Sequence, residues 1–361
     1  MMENMMQNLK VAIVGCGKVA GKHIKAINYF NKERKNTQFT LELIALIDPV
    51  EAAKEKIANL YKGKNKIAYY VDLNKFFLKE NVDILAITTP SGLHYEQAKI
   101  ALNNHCHILI EKPITLEENQ AKELLDLAEK SQLKIAVGHI YRYFPLIKNL
   151  YQDLKSGKFG KPLFGNVQVR WGHDQAYYDQ AAWRGTRKFD GGAIMNQSIH
   201  ALDLMHALLG EPYLVSTKGA VTKQIHQMES EDLGYGIFEF ENNIWLVLEG
   251  TTNTDPKRPE ASFFVRYTQG EIRASLLAGK IKFSILNADG QELRNSYLMT
   301  EIKNRISDKG FSFLGQIGNP HTGIYLDLAN AIVENSPIFA DGESGLHALQ
   351  MVLALYQDAG V

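Results

Sequence analysis

Cysteine is almost missing: the 361 residues contain two, Cys16 and Cys106. Neither sits in a CxxC pair or a Cys/His cluster, so the sequence indicates no disulfide framework and no zinc site. Each lies in or beside an apolar run that reads as a core strand. His105 and His107 flank Cys106, but they lead into a strand without further ligands and read as strand-edge residues. Net charge is missing as well, because 40 Lys and Arg balance 40 Asp and Glu. That excludes a protein whose affinity for nucleic acid comes from neutralising many phosphates, and leaves room for one small phosphorylated ligand. No apolar run reaches the ~18 residues that a membrane helix needs. The start, MMENMMQNLK, lacks the apolar centre of a signal peptide. A reducing cytoplasm is the expected compartment, with no membrane partner. No repeat or low-complexity segment is visible.

What is present is an ordinary globular composition, 45% hydrophobic and 22% charged, over a length that suits two or three domains. The first half alternates strands and helices. Apolar runs at 9–14, 41–47, 67–70, 82–88, 107–110 and 134–137 read as strands, and the stretches between them read as helices. Short links between such elements imply a doubly wound parallel sheet. After Val137 the period changes to alternation: Val167, Val169 and Trp171 share one face, and runs at 235–240 and 244–249 flank a polar Glu241-Asn242-Asn243 turn. Strands at 261–268, 271–274 and 280–286 continue the pattern. The expected architecture is α/β: a dinucleotide-binding domain over 1–137, then an α+β domain over 138–361 with a largely antiparallel open sheet.

Gly15-x-Gly17-x-x-Ala20 directly follows the first strand and opens a helix. Gly15 permits the tight turn, Gly17 lets the backbone approach a pyrophosphate, and Ala20 lets helix and strand pack closely. The free N–H groups of the helix start then face the anion. Asp48 ends the second strand, where a carboxylate accepts from a ribose 2′-hydroxyl and repels a 2′-phosphate, so NAD is favoured over NADP. Asp48 lies 31 residues after Gly17, against the usual ~20. The polar stretch 28–40 reads as an insertion before that strand.

Glu111-Lys112-Pro113 follows another apolar strand, on the side where open parallel sheets bind their ligands. An ammonium at Lys112 can stabilise a developing alkoxide or move a proton, although the tripeptide alone reads equally well as a strand-end turn. Farther on, Gly191-Gly192 leads to Asn196 and His200, four residues apart. Asn196 can cap the following helix. His200 suits proton exchange at neutral pH, while a histidine satisfied in the core is the plainer reading of that residue by itself.

In combination these motifs resemble the Gfo/Idh/MocA oxidoreductase family over essentially the whole chain. The segment Tyr177-Tyr178-Asp179-Gln180-Ala181-Ala182-Trp183-Arg184-Gly185-Thr186, with Met195-Asn196-Gln197, is similar to the nucleotide-sugar 3-dehydrogenases of that family. The resemblance implies a Rossmann domain, a sheet-faced substrate domain, an NAD cofactor and a homodimer or homotetramer built on the C-terminal sheet. It implies cofactor contacts from Gly15, Gly17, Lys18, Val19, Ala20, Asp48, Thr89, Pro90, His94, Glu111 and Lys112. It implies substrate contacts from Asn196, Arg184 and Tyr178, and catalysis by Lys112 and His200. Many members carry Asp where this chain has Asn196. An amide cannot act as a base, so proton transfer falls to His200, Lys112 or both.

The expected reaction is NAD-dependent oxidation of the C3 hydroxyl of a UDP-N-acetylhexosamine or its uronate. The 3-keto product suits later amination in polysaccharide biosynthesis. A dehydrogenase of a free sugar or inositol, and a non-catalytic NAD-sensing regulator, are the alternatives. Arg184 suits a diphosphate or a carboxylate, and on local sequence a surface ion pair equally well.

Overall fold

Six strands pair in parallel in the first part of the chain: β1 Gln7–Val14, β2 Phe39–Ile47, β3 Ala68–Tyr70, β4 Ile84–Ile87, β5 His107–Ile110 and β6 Ile135–Val137. The computed structural model describes residues 7–32, 39–144, 146–309 and 319–361. The strand order is β3-β2-β1-β4-β5-β6, so the direction of winding reverses between β1 and β4. Ligands of open α/β sheets bind outside the carboxyl ends of the strands at such a reversal. The central strands are apolar because both sheet faces are covered: every residue of β4 is buried. The helices Ala20–Lys32, Glu51–Ala58, Leu73–Phe77, His94–Asn103 and Glu118–Lys130 connect them. On the last of these the buried stripe is Ala121, Leu124 and Ala128, the face that helical periodicity selects. Residues 33–38 of the expected insertion and the first six residues of the chain lie outside the described residues.

The chain divides into two compact units, one of 1–143 with 303–345, the other of 144–302 with 346–361. The sequence suggests a single boundary at 137/138 and gives no sign of the returning segment. That return has a physical reason in the helix His321–Glu334. Its Ile324, Tyr325, Leu328 and Ala329 are fully buried in one cluster with Ile24 and Ile27 of Ala20–Lys32. Its apolar stripe is therefore part of the core of the first unit.

The second unit is built on seven strands: β7 Pro162–Arg170, β8 Leu214–Thr222, β9 Leu233–Phe240, β10 Ile244–Thr251, β11 Glu260–Tyr267, β12 Gly270–Leu277 and β13 Lys280–Asn287. Their order is β13-β12-β11-β7-β10-β9-β8. All neighbours are antiparallel except β7 and β10, which pair in parallel. The β9–β10 hairpin turns through Glu241–Asn243, where Asn242 and Asn243 take left-handed backbone angles. The inner face buries Val167, Val169, Phe238, Phe240, Leu246 and Leu248. Against it lies a turn of π-helix, Ala193–Ser198, continuing into the helix Ile199–Leu208. Gly250 of β10 makes this approach possible, since a Cβ there would meet Ile194 Cδ1 at 2.7 Å. The outer face stays apolar and exposed at Phe164, Tyr235, Ile237, Trp245 and Val247. Among the described residues no helix is long and apolar enough to cross a membrane.

Candidate functional site

In the first unit the loop after β1 has the form that a dinucleotide needs. Gly15 has φ +88°, and its N–H donates to the Ile47 carbonyl at 2.9 Å. A Cβ at this position would lie 2.7 Å from the Thr89 backbone nitrogen, so only glycine fits. Gly17 is exposed, and a Cβ there would meet nothing within 4 Å, so the backbone stands open to a ligand. Asp48 holds this loop. Its Oδ2 accepts the Cys16 N–H at 2.7 Å and its Oδ1 accepts the Val50 N–H at 2.8 Å. Each oxygen keeps a second lone pair for a ribose hydroxyl. An open backbone over Gly17 beside a loop-bound carboxylate fits NAD. Cys16 itself is inert, since burial pushes its thiol up to about 12.

The loops after β4 and β5 carry the remaining expected cofactor residues. Thr88 Oγ1 donates to the Gly15 carbonyl, and Thr89 Oγ1 to Gln97 Oε1 at 2.7 Å. His94, expected as a cofactor contact, is held between two backbone carbonyls. It is 1% exposed, with Nδ1 2.8 Å from the Pro113 carbonyl and Nε2 3.1 Å from that of Thr89. Burial lowers its pKa, against the pull of these two carbonyls. Its ring pins the two loops to each other. Lys18, Val19, Pro90 and Lys112 are all at least partly exposed, and Lys112 joins Pro113 through a cis peptide bond.

Glu111 is the residue whose surroundings sequence reasoning missed. Its Oε1 lies 3.0 Å from His23 Nε2 and 3.3 Å from His321 Nε2. Burial alone would raise the carboxyl pKa. The hydrogen bonds from both histidines outweigh that and hold it well below the usual carboxylate range. Among the described residues, His23, Glu111 and His321 are also the group whose ligand atoms stand close enough to hold a metal ion, within 4.8 Å of one another. His321 lies 210 residues from Glu111, too far for any spacing rule to connect them.

In the second unit the polar groups gather around the π-helical turn. Asn196 lies inside that turn and does not cap the helix that follows. The helix begins after Ser198, with no side-chain cap. Asn196 Nδ2 instead donates to Asp190 Oδ1, and Asp190 Oδ2 accepts the Gly185 N–H at 2.9 Å. Asp190 is 4% exposed, so it fixes both the amide of Asn196 and the loop that carries Arg184. The oxygen of Asn196 accepts from Gln197 Nε2 at 3.3 Å. Glu231 supports the start of the turn, with Oε1 accepting the Ile194 N–H at 2.9 Å and the Tyr356 hydroxyl at 2.8 Å. Burial raises its carboxyl pKa. His200 follows on the first turn of Ile199–Leu208, half-buried.

Arg184 lies over two rings, 4.3 Å from the centroid of Tyr177 and 4.6 Å from that of Trp183. Tyr177 is stacked in turn on His173 at 3.7 Å. The Nε of Arg184 is buried with no hydrogen-bond partner among the described residues. Tyr178, expected as a sugar contact, is 8% exposed and its hydroxyl bonds Thr252 Oγ1 at 3.0 Å.

Two family profiles cover the chain. Residues 9–139 match the GFO/IDH/MocA oxidoreductase family, NAD-binding Rossmann fold, and residues 152–360 match its C-terminal alpha/beta domain. The chain is 25% identical over 371 residues to the D-glucoside 3-dehydrogenase of Escherichia coli, covering 97% of this chain and 95% of that one. It is 34% identical over 143 residues to the UDP-N-acetylglucosamine 3-dehydrogenase of Acidithiobacillus ferrooxidans, covering 39% and 41%. The WlbA dehydrogenase of Chromobacterium violaceum, solved in complex with NADH and UDP-GlcNAcA, superposes with a TM-score of 0.81 at 26% identity. The alignment covers 98% of this chain and 94% of that one.

Proposed function

Because the chain belongs to the GFO/IDH/MocA family of NAD-dependent oxidoreductases, we propose that it oxidises the C3 hydroxyl of a UDP-N-acetylhexosamine or its uronate. The observation that carries the nucleotide-sugar reading is Arg184. Its guanidinium lies over the rings of Tyr177 and Trp183, with a buried Nε that has no hydrogen-bond partner among the described residues. A fixed, partly desolvated guanidinium suits a diphosphate or a carboxylate and has no counterpart in a neutral glycoside. The similarity to WlbA and to the Acidithiobacillus enzyme supports the same substrate class.

NAD, when bound, supplies the hydride acceptor. The chain supplies the other functions. The open backbone at Gly17 and the loop-bound Asp48 receive the dinucleotide. His200 takes the hydroxyl proton as the C3 hydride leaves, so that alcohol and NAD become ketone, NADH and one proton; Lys112 is the other residue proposed for proton transfer. Asn196 presents its oxygen to a sugar hydroxyl. In this reading the exposed apolar outer face of the second sheet, centred on Phe164, Ile237, Trp245 and Val247, joins copies into a homodimer or homotetramer.

Whole-length similarity to a D-glucoside 3-dehydrogenase supports the second reading, a neutral glycoside as substrate. The test is NADH formation with UDP-GlcNAc, UDP-GlcNAcA, free N-acetylglucosamine, a methyl glucoside and inositol, with the product identified by mass spectrometry. Turnover of the two UDP-sugars alone is the expected result. Turnover restricted to the methyl glucoside or inositol would reject the nucleotide-sugar reading. A chain that binds NADH and turns over none of them would be a sensor.

A further inference from the structure

Two imidazoles and one carboxylate converge inside the first unit, and the groups behind each ring set what it can bind. Asn319 is oriented by two bonds: its Nδ2 donates to the Lys22 carbonyl at 2.7 Å and its Oδ1 accepts the His321 backbone N–H at 3.1 Å. The same Oδ1 lies 2.9 Å from His321 Nδ1, so in a neutral ring Nδ1 is the nitrogen that carries hydrogen. The lone pair of Nε2 then points at Glu111 Oε1, 3.3 Å away. His23 has a matching arrangement. Its Nδ1 lies 3.1 Å from the Tyr325 hydroxyl, which can accept as well as donate, and its Nε2 lies 3.0 Å from the same Glu111 Oε1. An outer oxygen on Nδ1 is what orients a metal-binding histidine, because it fixes the tautomer and aims Nε2. The rings are 0% and 3% exposed. In such a buried place, nitrogen lone pairs set against a carboxylate oxygen call for a cation between them.

We propose that His23 Nε2, His321 Nε2 and Glu111 Oε1 are the three protein ligands of a zinc ion. Imidazole and carboxylate are both zinc donors, and three protein ligands leave a fourth position for water. Ligands around a four-coordinate zinc stand about 3.3 Å from one another, and the two nitrogen–oxygen distances here are 3.0 and 3.3 Å. All three ligand atoms lie within 4.8 Å of one another. Gly138 faces Glu111 Oε2 and brings no side chain to compete for it. The ligands come from three segments: the helix Ala20–Lys32 that follows the glycine loop, the turn after β5 that carries Lys112, and the start of the helix His321–Glu334. The ion cross-links these segments, and neither the substrate reading nor the role of Lys112 enters the argument.

The experiment uses the full-length protein, stripped with a chelator and titrated with zinc chloride in a calorimeter, with elemental analysis after dialysis. The wild type should hold one equivalent, and zinc should raise its melting temperature. His23→Gln and His321→Gln should each lose roughly a hundredfold or more in zinc affinity. Asn319→Ala and Tyr325→Phe keep all three ligands and should lose about tenfold, which keeps the test decisive if a ligand variant fails to fold. His105→Gln removes an exposed histidine outside the cluster and should change nothing. Nitrogen-15 NMR of the zinc-loaded protein should place hydrogen on Nδ1 of both His23 and His321, with none on either Nε2. A wild type that binds no zinc would overturn the proposal. So would one equivalent retained in both ligand variants, which would be an adventitious ion only, or hydrogen on His321 Nε2 at saturating zinc. Failure to turn over any UDP-sugar would reject the functional reading and leave each of these readouts standing.

Discussion

Asp190 Oδ1 accepts the amide of Asn196 while its Oδ2 accepts the backbone N–H of Gly185. A single buried carboxylate thus sets the orientation of the Asn196 amide and the start of the loop after Arg184. The family resemblance leads one to expect Asp at the position of Asn196, and here a carboxylate, that of Asp190, stands behind the amide. Asp190→Ala should leave NADH affinity unchanged and raise the sugar KM about tenfold, the scale of an amide left without its charged partner. Asn196→Asp should be more damaging, because two carboxylates would then meet in a buried site. Steady-state kinetics of both variants check this.

Lys112→Met with His200→Asn should abolish cofactor reduction while NADH still binds, with an affinity reduced by no more than the single Lys112 contact, because neither substitution touches the glycine loop. Calorimetry and absorbance of NADH measure the two halves separately. Unchanged turnover in the double variant would remove both residues from catalysis.

Asp48→Ala should weaken NAD binding about tenfold, since Cys16 N–H loses its charged acceptor and the loop is no longer held open. The same change removes the negative charge that repels a 2′-phosphate, so the preference for NAD over NADP should narrow. The ratio of the two dissociation constants is the measurement.

Much of this was readable in the sequence, and the missing parts share a cause. The parallel strands are legible as apolar runs, because a strand buried on both faces has no polar residues to interrupt it. Gly15, Gly17 and Asp48 are legible because each answers a local backbone demand. The strand Leu214–Thr222 is missed: it alternates half-buried and exposed residues and lacks a clean apolar face. Asn196 is misread as a helix cap because a π-helical turn places it before the true helix start. His321 is invisible because its partner is a distant carboxylate, and no periodicity reports a tertiary hydrogen bond.

Tyr178→Phe separates packing from substrate binding. Its hydroxyl bonds Thr252 Oγ1 in a buried setting. Removal should lower unfolding stability by about 1 kcal/mol and leave the sugar KM unchanged. A raised KM with unaltered stability would return Tyr178 to the substrate site.

Glu231 offers a pH test with a definite sign. Burial raises its carboxyl pKa in the folded protein above the unfolded value, so the folded state binds the proton more tightly. Below the ordinary carboxyl range both states are protonated and the residue contributes no penalty. As pH rises through that range toward the folded value, the unfolded state ionises first and stability is lost; above the folded value the loss is constant. Glu231→Gln cannot ionise, and its amide oxygen can still accept from the Ile194 N–H and the Tyr356 hydroxyl. The variant should therefore match the wild type in acid and gain relative stability as pH rises, levelling off once Glu231 is ionised. Urea unfolding of both proteins over a pH series measures the difference directly, and a gap that shrinks with rising pH would mean that Glu231 is stabilised as the carboxylate.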